Sequence, residues 1–327
     1  MPFWIEGRIR SVYGRGHVES LSVVIPVFNS EESLPRLLVE LSAVLSELVP
    51  AHEIILVNDG SSDRSEDVIR ALVAQYPNVR GVELMRNYGQ HNALVAGICA
   101  ARHPVVVTMD DDLQHPPSEI HLLLEKLAMG FDVVYGVPAQ EQHGLARDMA
   151  SQVTKFVLKG AMGADTARRI SAFRAFRREA TAAFGSHRGS YVNVDVLLTW
   201  GTTRFSSVLV RHDERRFGKS NYTLRKLVVH ALNMVTGFSV LPLQIASFVG
   251  FAALGFGLLV LAYVVLRYVV QGASVPGFPF LASVVSIFAG AQLFAIGVIG
   301  EYLARIHFRL MDKPLYTVRS DSGSPDA

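Results

Sequence analysis

The chain has 327 residues and half of them are apolar, which excludes a disordered or low-complexity protein. A formal net charge of +2 offers no bulk basic surface to nucleic acid, and a lone cysteine, Cys99, excludes an intramolecular disulfide and a cysteine-based zinc site. Charged residues make up 18%, against roughly 25% in an average soluble chain, and the shortage is local: Phe238 to Gly300 holds one charged side chain, Arg267. That distribution predicts a soluble domain joined to a membrane domain.

Residues 1–20 carry Arg8, Arg10 and Arg15 without an apolar run of seven, so they are read as an extension rather than a signal peptide, and the soluble part is expected to stay in the cytosol. Leu21 to Val27 reads as a buried strand, followed by a helix from about Glu31 to Leu48. Glu53 to Asn58 is a second strand, and Asp59-Gly60-Ser61-Ser62-Asp63 after it supplies a turn and helix-capping residues. Val79 to Leu84 is a third strand with a helix from about Asn92 to Ala101. Val105 to Met109 is a fourth, ending in Asp110-Asp111-Asp112; Pro117 to Met129 is then a helix and Asp132 to Val137 a fifth strand. Strands alternating with helices predict an α/β fold with a mostly parallel sheet covered on both faces. Ligands of such sheets sit beyond the carboxyl ends of the strands, where Pro26–Asn29, Asp59, Arg86–Gln90 and Asp110–Gln114 all fall.

Tyr222 to Val235 places Leu224, Leu227, Val228, Ala231, Leu232 and Val235 at helical spacing opposite Arg225, Lys226 and His230. This is an amphipathic helix, lying either on a membrane surface or against the soluble domain. Two runs are long enough to cross a bilayer, about Leu243 to Leu266 and about Phe280 to Gly300, joined by an uncharged connection around Pro276. Arg204, Arg211, Arg215, Arg216, Lys219, Arg225 and Lys226 precede this hairpin, and Arg305, Arg309, Lys313 and Arg319 follow it. The positive-inside rule then predicts both ends in the cytoplasm and the connection outside.

Several chemistries are excluded by their missing motifs. No G-x-G-x-x-G follows the first strand, and Gly218-Lys219-Ser220 is not a P-loop because the glycine required at 213 is Asp213. H-E-x-x-H and G-x-S-x-G are absent too. The triplet Asp110-Asp111-Asp112 is either a solvated acidic turn or the holder of a hard divalent cation, which would relieve the repulsion among its charges.

Four segments in order carry a resemblance: Val24-Ile25-Pro26-Val27-Phe28-Asn29, Val57-Asn58-Asp59-Gly60-Ser61-Ser62-Asp63, Arg86-Asn87-Tyr88-Gly89-Gln90-His91 and Asp110-Asp111-Asp112-Leu113-Gln114-His115-Pro116-Pro117. Together they resemble the family 2 glycosyltransferases of GT-A fold and, more narrowly, the polyprenyl-phosphate glycosyltransferases. Arg215-Arg216-Phe217-Gly218-Lys219-Ser220-Asn221-Tyr222 and the closing hairpin are similar to the bacterial undecaprenyl-phosphate branch. The resemblance covers about Leu21 to Tyr316. It implies a GT-A domain over 21–221, between the extension at 1–20 and an amphipathic helix over 222–237. Two transmembrane helices over 238–306 and a cytoplasmic tail over 307–327 complete the expected order.

The implied reaction is metal-dependent, inverting transfer of a sugar from a nucleotide-sugar, UDP-linked by expectation, to a polyprenyl phosphate on the cytoplasmic leaflet of a bacterial inner membrane. Asp110, Asp112 and Gln114 would hold Mg²⁺ or Mn²⁺ on the donor diphosphate, with Asp112 the main ligand. Asp59 would accept a hydrogen bond from the base, and Pro26, Phe28, Asn29 and Glu31 would shape the nucleoside pocket, although Glu31 also reads as a plain first-turn residue. Arg86, Gly89 and Asp111 would line the ribose and diphosphate. Arg215 and Ser220 would reach phosphate oxygens from a closing loop, and Arg174 in Ser171-Ala172-Phe173-Arg174 would bind the acceptor phosphate. The family usually has Ser-Lys-Tyr where this chain has Ser220-Asn221-Tyr222, preceded by Lys219.

Asp195 is read as a helix-surface carboxylate, or as a general base if the acceptor were a hydroxyl. The remaining partners implied are membrane lipid, with room for a homo-oligomer and none for nucleic acid. Competing readings are a family 2 enzyme with a hydroxyl acceptor, a processive synthase, and a non-catalytic membrane scaffold. The processive synthase carries Gln-x-x-Arg-Trp, and neither Trp4 nor Trp200 follows an arginine.

Overall fold

The structure is a computed structural model that describes residues 18–138, 170–182, 184, 185, 187, 192–213, 241–271 and 277–323. The chain divides into two compact units, one of residues 1–224 with 314–327 and the other of residues 225–313.

The first unit is a sheet covered by helices. Its strands are β1 (Ser20–Val27), β2 (Ala51–Asn58), β3 (Val79–Leu84), β4 (Val105–Thr108), β5 (Val133–Pro138), β6 (Arg174–Arg177), β7 (Phe205–Val210) and β8 (Val318–Asp321). Their order across the sheet is β7-β5-β6-β4-β1-β2-β3-β8. β1 runs parallel to β2 and β4, β2 parallel to β3, and β5 parallel to β7. Two strands run against the rest: β6 between β4 and β5, and β8 on β3. All but the first residue of β1 is buried, because helices cover both faces of the sheet.

The helices are α1 (Leu34–Leu48), α2 (Ser65–Gln75), α3 (Gln90–Ala100), α4 (Ile120–Ala128) and α5 (Val194–Gly201). Leu34, Leu37, Leu38, Leu41 and Leu45 lie on one face of α1 and are wholly buried with Val23 and Ile25 of β1. Each such leucine contributes about 1.5–3 kcal/mol by leaving water. α3 lies close to the sheet at Gly97, where a Cβ would come within 2.4 Å of a Val24 methyl and 2.8 Å of a Val57 methyl. The five strands and three helices expected up to residue 137 are all present, with ends that differ by a few residues.

β6, β7 and β8 were not anticipated. β6 (Arg-Ala-Phe-Arg) and β8 (Val-Arg-Ser-Asp) are four residues long, with charged ends and no alternation. The stretch expected as a tail therefore returns to the sheet.

Among the described residues the second unit holds α6 (Leu241–Gln271) and α7 (Phe278–Leu310), which pack on each other. Gly257 of α6 meets the Phe288 ring of α7 so closely that a Cβ there would lie 2.5 Å from it. The apolar windows Pro242–Val270 and Ile287–Leu310 have mean hydropathies of 2.5 and 1.6, and neither is buried inside the protein. That exposure distinguishes them from the core helices of a soluble protein and marks them as suited to lipid. The expected spans fall within these two helices, each of which runs on beyond its span. The amphipathic stretch 222–237 lies outside the described residues.

Candidate active site

The loops at the carboxyl ends of β1, β2, β3 and β4 form one hydrogen-bonded surface. After β1, Asn29 adopts a left-handed backbone (φ 56°), which asparagine tolerates. Its Oδ1 accepts the Ser62 N–H at 2.8 Å, and its own N–H donates to Ser61 Oγ at 3.1 Å. Ser30 N–H donates to Ser65 Oγ at 2.8 Å. Glu31 N–H donates to Asp63 Oδ2 at 3.1 Å while its carboxylate accepts the Arg64 N–H at 2.9 Å. Glu31 thus ties the loop after β1 to the loop after β2. Phe28 is 43% exposed at the rim.

Asp59 directly follows β2 and is buried. Its two carboxylate oxygens accept the N–H groups of Tyr88 and Gly89 at 2.7 and 2.8 Å, so it fixes the loop after β3. Burial raises its pKa, and the two N–H bonds offset part of that rise. Gly60 has φ +64° and lies where a Cβ would be 2.6 Å from both Arg86 C and Asn87 N. Only glycine lets these two backbones meet. The Arg86 guanidinium stacks 4.5 Å above the Tyr88 ring.

The carboxylates after β4 divide their partners. Asp110 Oδ1 accepts from Gln90 Nε2 at 2.7 Å, Asp111 accepts from the Ser30 hydroxyl, and Asp112 Oδ1 accepts the Gln114 N–H at 3.1 Å. Burial first, and the neighbouring charge of Asp112, push Asp111 up to about 6 against the Ser30 bond. Leu113 is held at φ 60°, a conformation costly for leucine that turns the chain sharply between Asp112 and Gln114. The Gln114 side-chain nitrogen lies 3.3 Å from His212 Nε2, and the Gln114 backbone carbonyl accepts the Asp213 N–H at 2.8 Å. His115 stacks on Phe173 and meets His212 edge-on; burial pushes it down to about 4, so it is neutral at neutral pH. The contacts of His212 and His115 were missed in the sequence, where neither lies in a spacing that signals a partner.

Among the described residues no group of three or more His, Cys, Asp or Glu side chains is gathered as a metal site. The donor set of Asp110, Asp112 and Gln114 nevertheless fits Mg²⁺ or Mn²⁺. Its donors are hard oxygens, and such ions take one or two carboxylates and complete their shell with water and substrate phosphate.

Asp195 departs from expectation, and Arg174 is its partner. Arg174 is 2% exposed; its Nε donates to Thr108 Oγ1 at 3.0 Å and its guanidinium pairs with Asp195. Asp195, expected on a helix surface, is 5% exposed because α5 turns that face inward; it also accepts the Tyr135 hydroxyl at 3.0 Å. Burial opposes the charge of Arg174, yet Asp195 first, then Tyr135 and Asp110, hold its pKa above the ordinary value. Its guanidinium is therefore a buried cation within electrostatic reach of Asp110. Arg215 and Ser220 lie outside the described residues, as does Asn221.

A family model described as glycosyl transferase family 2 matches residues 22–185. The chain is 36% identical over 309 residues to an undecaprenyl-phosphate 4-deoxy-4-formamido-L-arabinose transferase of Serratia proteamaculans, covering 94% of this chain and 95% of that protein. A protein of the same name from Pseudomonas fluorescens is 34% identical over 304 residues, covering 92% and 89%. Among solved structures, glucosyl-3-phosphoglycerate synthase of Mycobacterium tuberculosis with phosphoglyceric acid is similar at a TM-score of 0.51 and 21% identity, covering 73% of this chain and 84% of that one. The same synthase with Mn²⁺, UDP-glucose and phosphoglyceric acid gives 0.50 and 20%, with the same coverage.

Proposed function

This chain belongs to glycosyl transferase family 2, and we propose that it transfers a sugar from a UDP-linked donor to undecaprenyl phosphate at the cytoplasmic face of a bacterial inner membrane. The observation that carries this reading is the extent of the similarity. It runs past the catalytic segment through both apolar helices, over 94% of the chain, to proteins named for that acceptor. The sugar of those names, 4-deoxy-4-formamido-L-arabinose, is the first donor to offer.

The acceptor suits the site. A phosphate monoester has a second pKa near 6, so much of it is dianionic at neutral pH and attacks without a strong base. One of its oxygens forms a bond to the anomeric carbon while the bond from that carbon to the UDP oxygen breaks. The electron pair leaves with UDP and the configuration inverts. When bound by Asp110, Asp112 and Gln114, a divalent cation would neutralise charge on the departing diphosphate.

The chain's own groups orient the donor. Asp59 and Gly60 set the loop that carries Arg86 and Gly89, and Asn29 and Phe28 form the adjoining wall of the nucleoside pocket with Pro26. Asp111 fixes the loop after β1 through Ser30. Arg215 and Ser220 are assigned to the diphosphate. Arg174, paired with Asp195, lies within electrostatic reach of Asp110. Asp195 is committed to Arg174 and Tyr135, which argues against its serving as the base for a hydroxyl acceptor.

The membrane orientation follows the connectivity. Sheet residues precede α6, and β8 follows α7 within the same unit. Two crossings that return to one domain support both ends lying on one side, and the flanking Arg and Lys residues favour the cytoplasmic side.

The test uses purified full-length protein in detergent with Mn²⁺, labelled undecaprenyl phosphate and a panel of UDP-, GDP- and dTDP-sugars. A new labelled glycolipid with a UDP-sugar is expected. Product from a hydroxyl acceptor alone, or no nucleotide binding at all, would overturn the assignment.

A further inference from the structure

The loop after β3 is held from two sides, and only one of them belongs to the nucleotide-binding motifs. On one side Asp59 takes the N–H groups of Tyr88 and Gly89. On the other side the partners come from the far end of the chain, beyond α7. Met85 N–H donates to the Thr317 carbonyl at 2.9 Å, and Arg319 Nη2 donates to the Met85 carbonyl at 3.4 Å.

The β8 segment is itself firmly anchored. Arg80, largely buried, pairs with Asp321 at 2.9 Å and with Glu53 at 3.1 Å. Arg319 pairs with Glu83 at 2.9 Å. Ser322 exchanges bonds with Gly81: its Oγ accepts the Gly81 N–H at 2.9 Å, and its N–H donates to the Gly81 carbonyl at 3.0 Å. The register of β8 on β3 shifts between Glu83 and Leu84, where the strand gives way to the loop.

We infer that residues 317–322 are positioning residues for the donor site: they hold Met85 to Gly89 in the shape that receives the nucleotide-sugar, opposite the hold of Asp59. The inference rests on the donor assignment made above. Without β8, the outer edge of β3 would expose unpaired N–H and C=O groups, and the loop would be fixed on the Asp59 side alone. Donor binding would then include the cost of ordering the loop. The effect falls on the donor rather than on the acceptor, because the clamped residues are those beside Asp59.

The experiment compares wild type, Arg319→Ala and Asp321→Asn as full-length protein in detergent. Asp321→Asn loosens the anchor of β8 without touching the loop, whereas Arg319→Ala removes both the Glu83 pair and the bond to the Met85 carbonyl; Arg319 is half-exposed, so its loss leaves the core intact. UDP affinity is read by calorimetry, donor and acceptor KM by the glycolipid assay, and loop order by hydrogen exchange of the peptide spanning 85–89. The expected result is an increase of about three- to tenfold in UDP Kd and donor KM, with acceptor KM unchanged and faster exchange at 85–89. Faster exchange at 318–322 with unchanged UDP Kd would overturn the inference, since β8 would then be merely structural. So would a loosened loop that binds UDP as tightly as wild type. Failure of the wild type itself to bind UDP would sink the donor assignment and this inference with it, and the unsubstituted protein alone reveals that case.

Discussion

Arg174 and Asp195 form an ion pair inside the sheet domain, their side chains 2% and 8% exposed. The pair joins β6 to α5, and Thr108 and Tyr135 satisfy further hydrogen-bonding groups of its two members. Taking such charges from water is costly, and removing one partner leaves the other without compensation.

Asp195→Ala should therefore destabilise the domain by about 3–5 kcal/mol. Thermal unfolding of the full-length protein in detergent measures this. A general base would behave differently, losing turnover with the melting temperature unchanged, and that outcome would refute the structural role of Asp195.

Gly60→Ala should raise the Kd for UDP by tenfold or more, with a stability loss of about 1 kcal/mol or greater. The new methyl would be driven into Arg86 and Asn87 at a backbone conformation that L-residues rarely adopt. Calorimetric titration with UDP and a melting curve give both numbers. An unchanged affinity would show that the Arg86 loop does not contact the nucleotide.

Asp112→Asn should lower metal-dependent transfer by orders of magnitude while stability stays within about 0.5 kcal/mol of wild type, because it alters one partly exposed carboxylate. Glycolipid formation across a Mn²⁺ series, alongside melting curves, tests this. Retained transfer would remove Asp112 from the set of metal ligands.

Glu53 links acid stability to the tail. Burial opposes its ionised form, but the Ser22 hydroxyl, the Arg102 N–H and Arg80 outweigh burial and hold its pKa below the ordinary 4.5. A depressed carboxylate pKa stabilises the fold above the ordinary value, and the stabilisation is lost as pH falls through the folded value. Glu53→Gln should thus be less stable than wild type at neutral pH. The gap should narrow as pH drops below about 4.5. Melting temperatures from pH 7 to pH 3 decide it; a gap constant with pH would mean that the carboxylate charge contributes nothing.

Much of this protein is legible in one dimension. The strands from Leu21 to Val137 are short apolar runs because they are buried on both faces, and that burial leaves its mark on composition whatever the neighbours are. The carboxyl-end clusters at Asn29, Asp59, Arg86 and Asp110 follow from the same reading, since alternating strands and helices put all four on one edge. The two apolar helices are equally plain, because a bilayer imposes length and composition on a segment without reference to the rest of the chain.

Tertiary structure alone decided the rest. β6 and β8 are four-residue strands with charged ends, and they are strands only because β4, β5 and β3 present edges for them to pair with. Asp195 looked like a surface carboxylate because a local pattern carries no record of a cation arriving from Arg174, 21 residues earlier in the chain. Thr317 reaches Met85 across more than two hundred residues, and Asp321 reaches Arg80 in the same way. Burial, hydrophobic length and local turns are properties of a segment and survive in its sequence. Which charge meets which, and which end of the chain closes a sheet, are properties of pairs that only folding brings together.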